Sequence, residues 1–273
     1  MDRATFIKFR NLIYEQSGIN IEEKKETLLV SRICKRMRAL GIELDDFKTY
    51  YKYLMEDKQG REIVELIDAV STNVTHFFRE PQHFDFLSIK VDEWLKQGKR
   101  KFRLWCAACS TGEEPYTVAM IMHERCSQYQ SVDCKILATD ICTKVLKKGE
   151  EAEYEEDKLD SVPLKYRQKY FKRIGKNGAT KKVYGIIEPI KKMVTFARLN
   201  LATPPFPMSG PFDVIFIRNV MIYFDNAVRS ALLNDAYRLM AKGGLLFVGH
   251  SESLAGLLNT ELKRILPSVY TKE

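Results

Sequence analysis

The chain reads as an α/β protein: a mainly parallel, doubly wound sheet preceded by an all-helical region. Three features predict this. The segment Arg103 to Tyr116, RLWCAACSTGEEPY, runs from an apolar strand through small residues into a helix start, with Pro115 and acidic residues where a first turn favours them. A strand, a tight small-residue turn and a helix start are how such a sheet grips a nucleotide-like cofactor at its carboxyl edge. The second feature repeats the pattern. Phe212 to Ile217 is an apolar strand, and Arg218-Asn219 load its carboxyl end with polar groups. The third is the alternation of strand and helix from about residue 100 onward.

In chain order, residues 1–70 read as helical. Phe6, Phe9, Leu12 and Ile13 have helical spacing, and a second helix over 22–40 ends near Gly41. Helices are also expected over 45–55 and 61–70. Residues 71–99 then form a linker and a connecting helix. Residues 100–273 carry the sheet, with strands over 102–107, 135–139, 213–218 and 244–249 and helices over 114–127, 141–149 and 226–241. Residues 151–199 break the rhythm. With Gly175, Gly178 and Gly185 and short β-like runs at 182–184 and 193–196, they read as a small β insertion. Residues 261–271 suggest an antiparallel edge hairpin around Pro267.

Composition narrows the function. A chain of 273 residues with 45% hydrophobic and 29% charged content is that of a soluble globular protein. No run approaches the roughly 20 apolar residues of a membrane span, and no secretory leader is evident, so a cytoplasmic location is expected. The six cysteines do not suggest a disulfide scaffold at this length. Cys106 and Cys109 are spaced as C-x-x-C without a second pair, which reads as small core and turn residues. The four histidines (His76, His83, His123, His250) show no ligand spacing, so no metal is expected. The net charge of +8 is uneven. Residues 151–160 are acidic. Basic residues dominate 165–198, and Arg32, Lys35, Arg36 and Arg38 form a second cluster. Such patches fit an acidic macromolecular partner or simply solvated faces.

The strand ends carry the chemistry. Asp140 follows the second strand, where an acidic side chain holds a ribose diol in dinucleotide-type sites. The glycine fingerprint, however, is reduced to Gly112. A pyrophosphate needs close backbone approach at several points, and S-adenosylmethionine, lacking phosphate, does not. The pattern leans toward S-adenosylmethionine over NAD.

Five segments then accumulate in order: residues 71–80 (STNVTHFFRE), 109–116, 138–140 (ATD), 218–224 (RNVMIYF) and 249–252 (GHSE). Each is weak alone. As a set they resemble the CheR family of chemotaxis receptor, or protein-glutamate, O-methyltransferases. The resemblance implies a class I S-adenosylmethionine-dependent methyltransferase fold (Rossmann-like), the N-terminal helical domain and the small β insertion. It also implies a function: methyl transfer to glutamate carboxylates of the cytoplasmic helices of a methyl-accepting chemoreceptor, for adaptation in signal transduction. By the same resemblance, Asn73, Thr75 and Arg79 approach the cofactor from the linker, Glu114 and Asp140 hold its amino-acid end or ribose, Asn200 and Leu201 lie at the adenine, and Ile217 and Arg218 close the site. Arg79 and Tyr223 stand nearest the transferred methyl. The Arg32, Lys35, Arg36 and Arg38 face would dock the acidic receptor helices. A monomer is expected, with no nucleic-acid partner and no membrane insertion, the receptor itself recruiting the enzyme to the membrane. Some members of the family also dock a receptor tether through a glycine-containing loop, which would fall at 173–180.

Physical chemistry agrees with this assignment. A carboxylate of pKa about 4.3 is ionised at neutral pH, so its methylation requires no general base. The demand on the enzyme is to position, desolvate and orient. Two other readings compete. The +8 charge favours a nucleic-acid methyltransferase, but Thr203-Pro204-Pro205-Phe206 lacks the Asn or Asp of an amino-methylating turn and precedes the fourth strand instead of following it. Against a non-catalytic S-adenosylmethionine-binding sensor or adaptor, Arg79, Asp140, Arg218 and Tyr223 are retained together.

Overall fold

The computed structural model describes residues 1–175, 182–254, 256 and 262–273. Four helices come first: α1 (Arg3–Ser17), α2 (Glu26–Leu40), α3 (Phe47–Glu56) and α4 (Arg61–Val70). They enclose a core of their own, with Phe6, Phe9 and Ile13 of α1 against Ile33 and Met37 of α2, Tyr50 of α3 and Leu66 of α4. Asp2 and Asp46 cap α1 and α3 by accepting from the backbone of Thr5 and Thr49. Gly18 ends α1 at φ 72°, and a Cβ there would lie 2.4 Å from Ala202 Cβ. Only glycine allows both this turn and so close an approach to the second half of the chain.

After α5 (Pro81–Lys96) the sheet begins. Its strands are β1 (Lys101–Ala107), β2 (Asp133–Asp140), β6 (Val194–Arg198), β7 (Phe212–Ile217), β8 (Met240–Val248), β9 (Leu262–Leu266) and β10 (Val269–Lys272), in the order β6-β2-β1-β7-β8-β10-β9. The first five in that order are parallel, and β10 and β9 close one edge as an antiparallel hairpin. From β1 the chain winds outward one way through β2 and β6, then returns to add β7 and β8 on the other side. The reversal of strand order therefore falls between β1 and β7.

Side chains alternate across the sheet as the pleat requires. Phe102, Leu104 and Cys106 of β1 face a core shared with α5 and α6 (Glu113–Cys126), while Trp105 and Ala107 face α10 (Asn226–Leu239). Helix α7 (Thr143–Glu151) follows β2.

The insertion is smaller than the sequence suggests. A three-stranded antiparallel sheet, β3 (Glu153–Glu155), β5 (Val183–Ile186) and β4 (Phe171–Ile174), spans it together with α8 (Leu164–Tyr170) and α9 (Glu188–Lys191). The run at 193–196, expected within the insertion, instead forms β6 of the main sheet, pairing Ile136↔Val194 through Asp140↔Arg198. A short partly apolar strand looks the same in sequence whichever sheet edge it joins. Of the loop at 173–180, residues 176–180 lie outside the described residues, as does Glu261 of the terminal hairpin.

Candidate active site

One cavity opens where the carboxyl ends of β1, β2, β6 and β7 meet. Ala108 and Ser110 after β1, Asp140 and Ile141 at the end of β2, Leu199 to Leu201 after β6 and Arg218 to Val220 after β7 all line it. The linker covers it with Ser71 to His76 and Arg79, and the end of α1 reaches it through Ser17 and Ile19. This is the crevice beside a strand-order reversal where open α/β sheets bind ligands.

The β1 turn is built tightly. Ala108 and Ser110 adopt φ of 61° and 49°, and Gly112 ends the turn at φ 93°. A Cβ on Gly112 would sit 3.1 Å from the Gly149 backbone. Asp140 ties this turn to the next, accepting from the N–H of Ser110 at 2.8 Å and of Cys142 at 2.9 Å. Burial raises its pKa, against the lowering by those backbone bonds. Ser110 Oγ in turn donates to Asn73 O at 3.0 Å, joining the linker to the turn.

Arg218 is the electrostatic hub of the other end. Its side chain is 1% exposed and bridges Glu114 at 2.8 Å and Glu80 at 3.0 Å. It also donates to the Arg79 carbonyl. Burial raises the Glu114 pKa, with the Arg218 charge pulling the other way. For Glu80 burial again pushes upward, but Arg218, Asn219 and the His250 N–H outweigh it and hold the carboxyl below its ordinary value. Glu114 Oε1 and Arg218 Nε are buried without a hydrogen-bond partner. Phe78, Glu80 and Asn219 have positive φ of 55°, 58° and 58°. Together with Ala108 and Ser110, left-handed non-glycine backbone thus concentrates around this cavity, as strained residues do at functional sites.

The expected site residues converge. Asn73, Thr75, Arg79, Glu114, Asp140, Asn200, Leu201, Arg218 and Tyr223 all line the one cavity. Ile217 does not. It is fully buried in the core facing α10, because alternation along β7 turns it into the sheet layer before the strand ends. The docking cluster divides. Arg36 binds Glu62 bidentately at 2.9 and 2.7 Å and Glu65 at 2.8 Å, beneath Tyr50 Oη, which donates to Glu62 at 2.8 Å. Arg32 donates to Ala69 O at 2.8 Å, at the end of α4. Both guanidiniums hold the helical domain together, and only Lys35 and Arg38 of the four are exposed. Helical spacing cannot separate a cation facing a neighbouring helix from one facing water. Cys106 and Cys109 are free and buried, and Phe206 of the Pro-Pro segment is a core residue whose N–H bonds Asp235.

Three features escaped the sequence. Glu80 is a charge bridge at the helix start before Pro81. Glu252 gathers backbone N–H groups from two strand ends. His83 and His250 meet Glu80 with their ligating atoms within 4.8 Å. That carboxylate is already committed to Arg218 and Asn219, and the two histidines pack beside the ion-pair network. The helical domain also grips the segment bearing Tyr223. The Asn20 N–H donates to Tyr223 O at 2.8 Å, and Tyr14 Oη donates to Asp225 at 2.7 Å.

The comparisons with known proteins agree with this geometry. A family described as "CheR methyltransferase, SAM binding domain" matches residues 73–269, and one described as "CheR methyltransferase, all-alpha domain" matches residues 4–71. The chain is 39% identical over 267 residues to a chemotaxis protein methyltransferase of Borreliella burgdorferi, covering 96% of this chain and 91% of the relative. It is 35% identical to relatives of the same description from Salmonella typhimurium and Escherichia coli, each match covering 93% of this chain and 85% and 86% of the relative. With a cavity at the strand-order reversal covered by the linker from a helical domain, and with both family models and these relatives matching most of its length, the chain belongs to the CheR methyltransferase family.

Proposed function

We propose that this protein transfers the methyl group of S-adenosylmethionine to glutamate side chains on the cytoplasmic helices of a chemoreceptor, forming methyl esters that set the receptor's adaptation state. The observation that carries this reading is the pairing, in one cavity, of a ribose-type acidic strand end at Asp140 with an arginine and a tyrosine, Arg79 and Tyr223. The cofactor supplies an electrophilic methyl on a sulfonium.

The donor set suits that cofactor. Asp140 keeps one lone pair on each oxygen beyond its two backbone bonds, enough for ribose hydroxyls. Glu114 Oε1 is an unpartnered buried acceptor suited to an ammonium, and the unpartnered Arg218 Nε is a donor suited to a carboxylate. Asn73 and Thr75 would approach from the linker, with Asn200 and Leu201 at the base.

The remaining residues orient the substrate. Arg79 is half-buried, and its Nη1 donates to Val74 O at 3.1 Å. That leaves most of its fork free to hold a glutamate carboxylate. Tyr223 can donate a hydrogen bond while its ring excludes water. The substrate carboxylate is already ionised, so no proton has to move, and catalysis rests on alignment and desolvation.

Lys35 and Arg38 would steer the acidic receptor helices. We assign residues 1–70 to a docking domain, 71–99 to the connection and 100–273 to the methyltransferase domain, acting as a monomer in the cytoplasm. Among the described residues no helix is long and apolar enough to cross a membrane. The Arg79→Ala variant tests the assignment. Transfer to a receptor fragment should be nearly abolished with the thermal midpoint unchanged, and normal turnover would refute the role.

A further inference from the structure

We infer that Glu252 is a positioning residue that sets the methyl-transfer end of the cavity by clamping the backbone that carries Tyr223; this rests on the reading of Tyr223 given above. Glu252 is 7% exposed and reaches back from the loop after β8. Its Oε2 accepts from the N–H of Asn219 at 2.8 Å and of Gly249 at 2.7 Å, and its Oε1 accepts from the N–H of Met221 at 2.8 Å. One carboxylate therefore satisfies three backbone donors from two strand ends that no ladder pairs.

The segment it holds is not self-supporting. Asn219 turns through φ 58°, and a single helical turn, Met221–Tyr223, follows at once. The opposite side of that segment is held by Asn20 N–H on Tyr223 O at 2.8 Å and by Arg229 Nε on Met221 O at 2.7 Å. Gly249 completes the clamp, because a Cβ there would meet Asn219 Nδ2 at 2.6 Å and Glu252 Oε2 at 2.7 Å.

Arg218, by contrast, is anchored through its own side chain to Glu114 and Glu80. Loosening the clamp should move Tyr223 while leaving Arg218, and with it cofactor binding, in place. Charge-assisted bonds to backbone N–H groups are the strong kind, and misplacing a reacting group by an ångström is enough to slow transfer greatly.

The test is Glu252→Gln, which keeps the shape but turns an amide N–H₂ toward a backbone donor. With a receptor cytoplasmic fragment as substrate, kcat should fall about 100-fold, the scale of a misaligned reacting group. The affinity for S-adenosylhomocysteine by calorimetry should stay within about threefold, the bound separating a local displacement from loss of the site. Gly249→Ala strains the same clamp from the other side without removing Glu252 and should give the same split, so a poorly folding Glu252→Gln does not end the test. In a Tyr223→Phe background, Glu252→Gln should cost less than threefold more, because two changes acting through one group are not additive. A folded variant with unchanged kcat, an equal loss of cofactor affinity, or full additivity with Tyr223→Phe would each overturn the inference. Tyr223→Phe at the parent rate would instead refute the reading of Tyr223 itself.

Discussion

Replacing Arg218 with methionine leaves two largely buried carboxylates without their shared cation. The Arg218 side chain is 1% exposed, and those of Glu114 and Glu80 are 12% and 14% exposed. Methionine fills most of the volume but carries neither charge nor donors. Breaking a buried ion pair by removing one partner costs about 3–5 kcal/mol, because the other charge stays behind. At roughly 2–4 °C per kcal/mol for a chain of this size, the thermal midpoint at pH 7.5 should fall by roughly 6–20 °C. The loss should depend on pH in a definite direction. Burial already raises the Glu114 pKa against the pull of Arg218, and it would raise that of Glu80 too if Arg218 and its other partners did not hold it down. Without the guanidinium both carboxyls move up. The penalty is then full above their raised values and shrinks as the pH falls and they take up protons. Circular dichroism melts of parent and variant at pH 7.5 and pH 5 give the answer, and adding Glu114→Gln should restore part of the midpoint at pH 7.5. A variant within 2 °C of the parent at pH 7.5, or a deficit identical at both pH values, would refute the reasoning.

Charge reversal on α2 should separate docking from folding. Lys35→Glu with Arg38→Glu should slow methylation of an intact receptor fragment while leaving the melt and cofactor affinity unchanged, and equal effects on rate and affinity would refute a docking face. Arg36→Glu should instead unfold the helical domain, at a cost of about 3–5 kcal/mol for a buried bidentate pair, readable as a lost melting transition. His83 is 2% exposed, and burial first, then Arg218 and His250, lower its pKa to about 4 against the pull of Glu80. The unfolded chain takes up a proton below about pH 6.5 that the folded chain refuses, so stability falls by about 2 kcal/mol between pH 7.5 and pH 5 from this group. His83→Leu should shrink the midpoint difference between those pH values, and an unchanged difference would count against it. Asp140→Ala should weaken S-adenosylhomocysteine binding at least tenfold, the scale of about 1.4 kcal/mol for one lost charge-assisted bond or more; unchanged affinity by calorimetry would remove Asp140 from the cofactor site.

Much of this architecture is legible in the sequence. The β1 turn could be read because a strand, small residues and an acidic helix start have a local cause, as do the Asp140 and Arg218 strand ends. That nine dispersed residues belong to one site was what the family resemblance implied, and the strand order accounts only for those at the strand ends. What escaped was what only tertiary contact decides. Arg36 and Arg38 lie two positions apart on one helix, yet one is locked to Glu62 and the other is exposed. Ile217 is next to Arg218 but points into the core. Residues 193–196 could edge either sheet, and the pairing with β2 chose the larger one. Glu252 stood in the GHSE segment, but nothing there told its role, because its three partners are backbone groups, which every residue has.

The most direct test follows labelled methyl from S-adenosylmethionine to a receptor cytoplasmic fragment, with RNA and DNA in parallel, before and after mild alkali. The account predicts label on the receptor fragment alone, released by alkali as expected of a carboxyl methyl ester. Alkali-stable label, or label on nucleic acid, would contradict it.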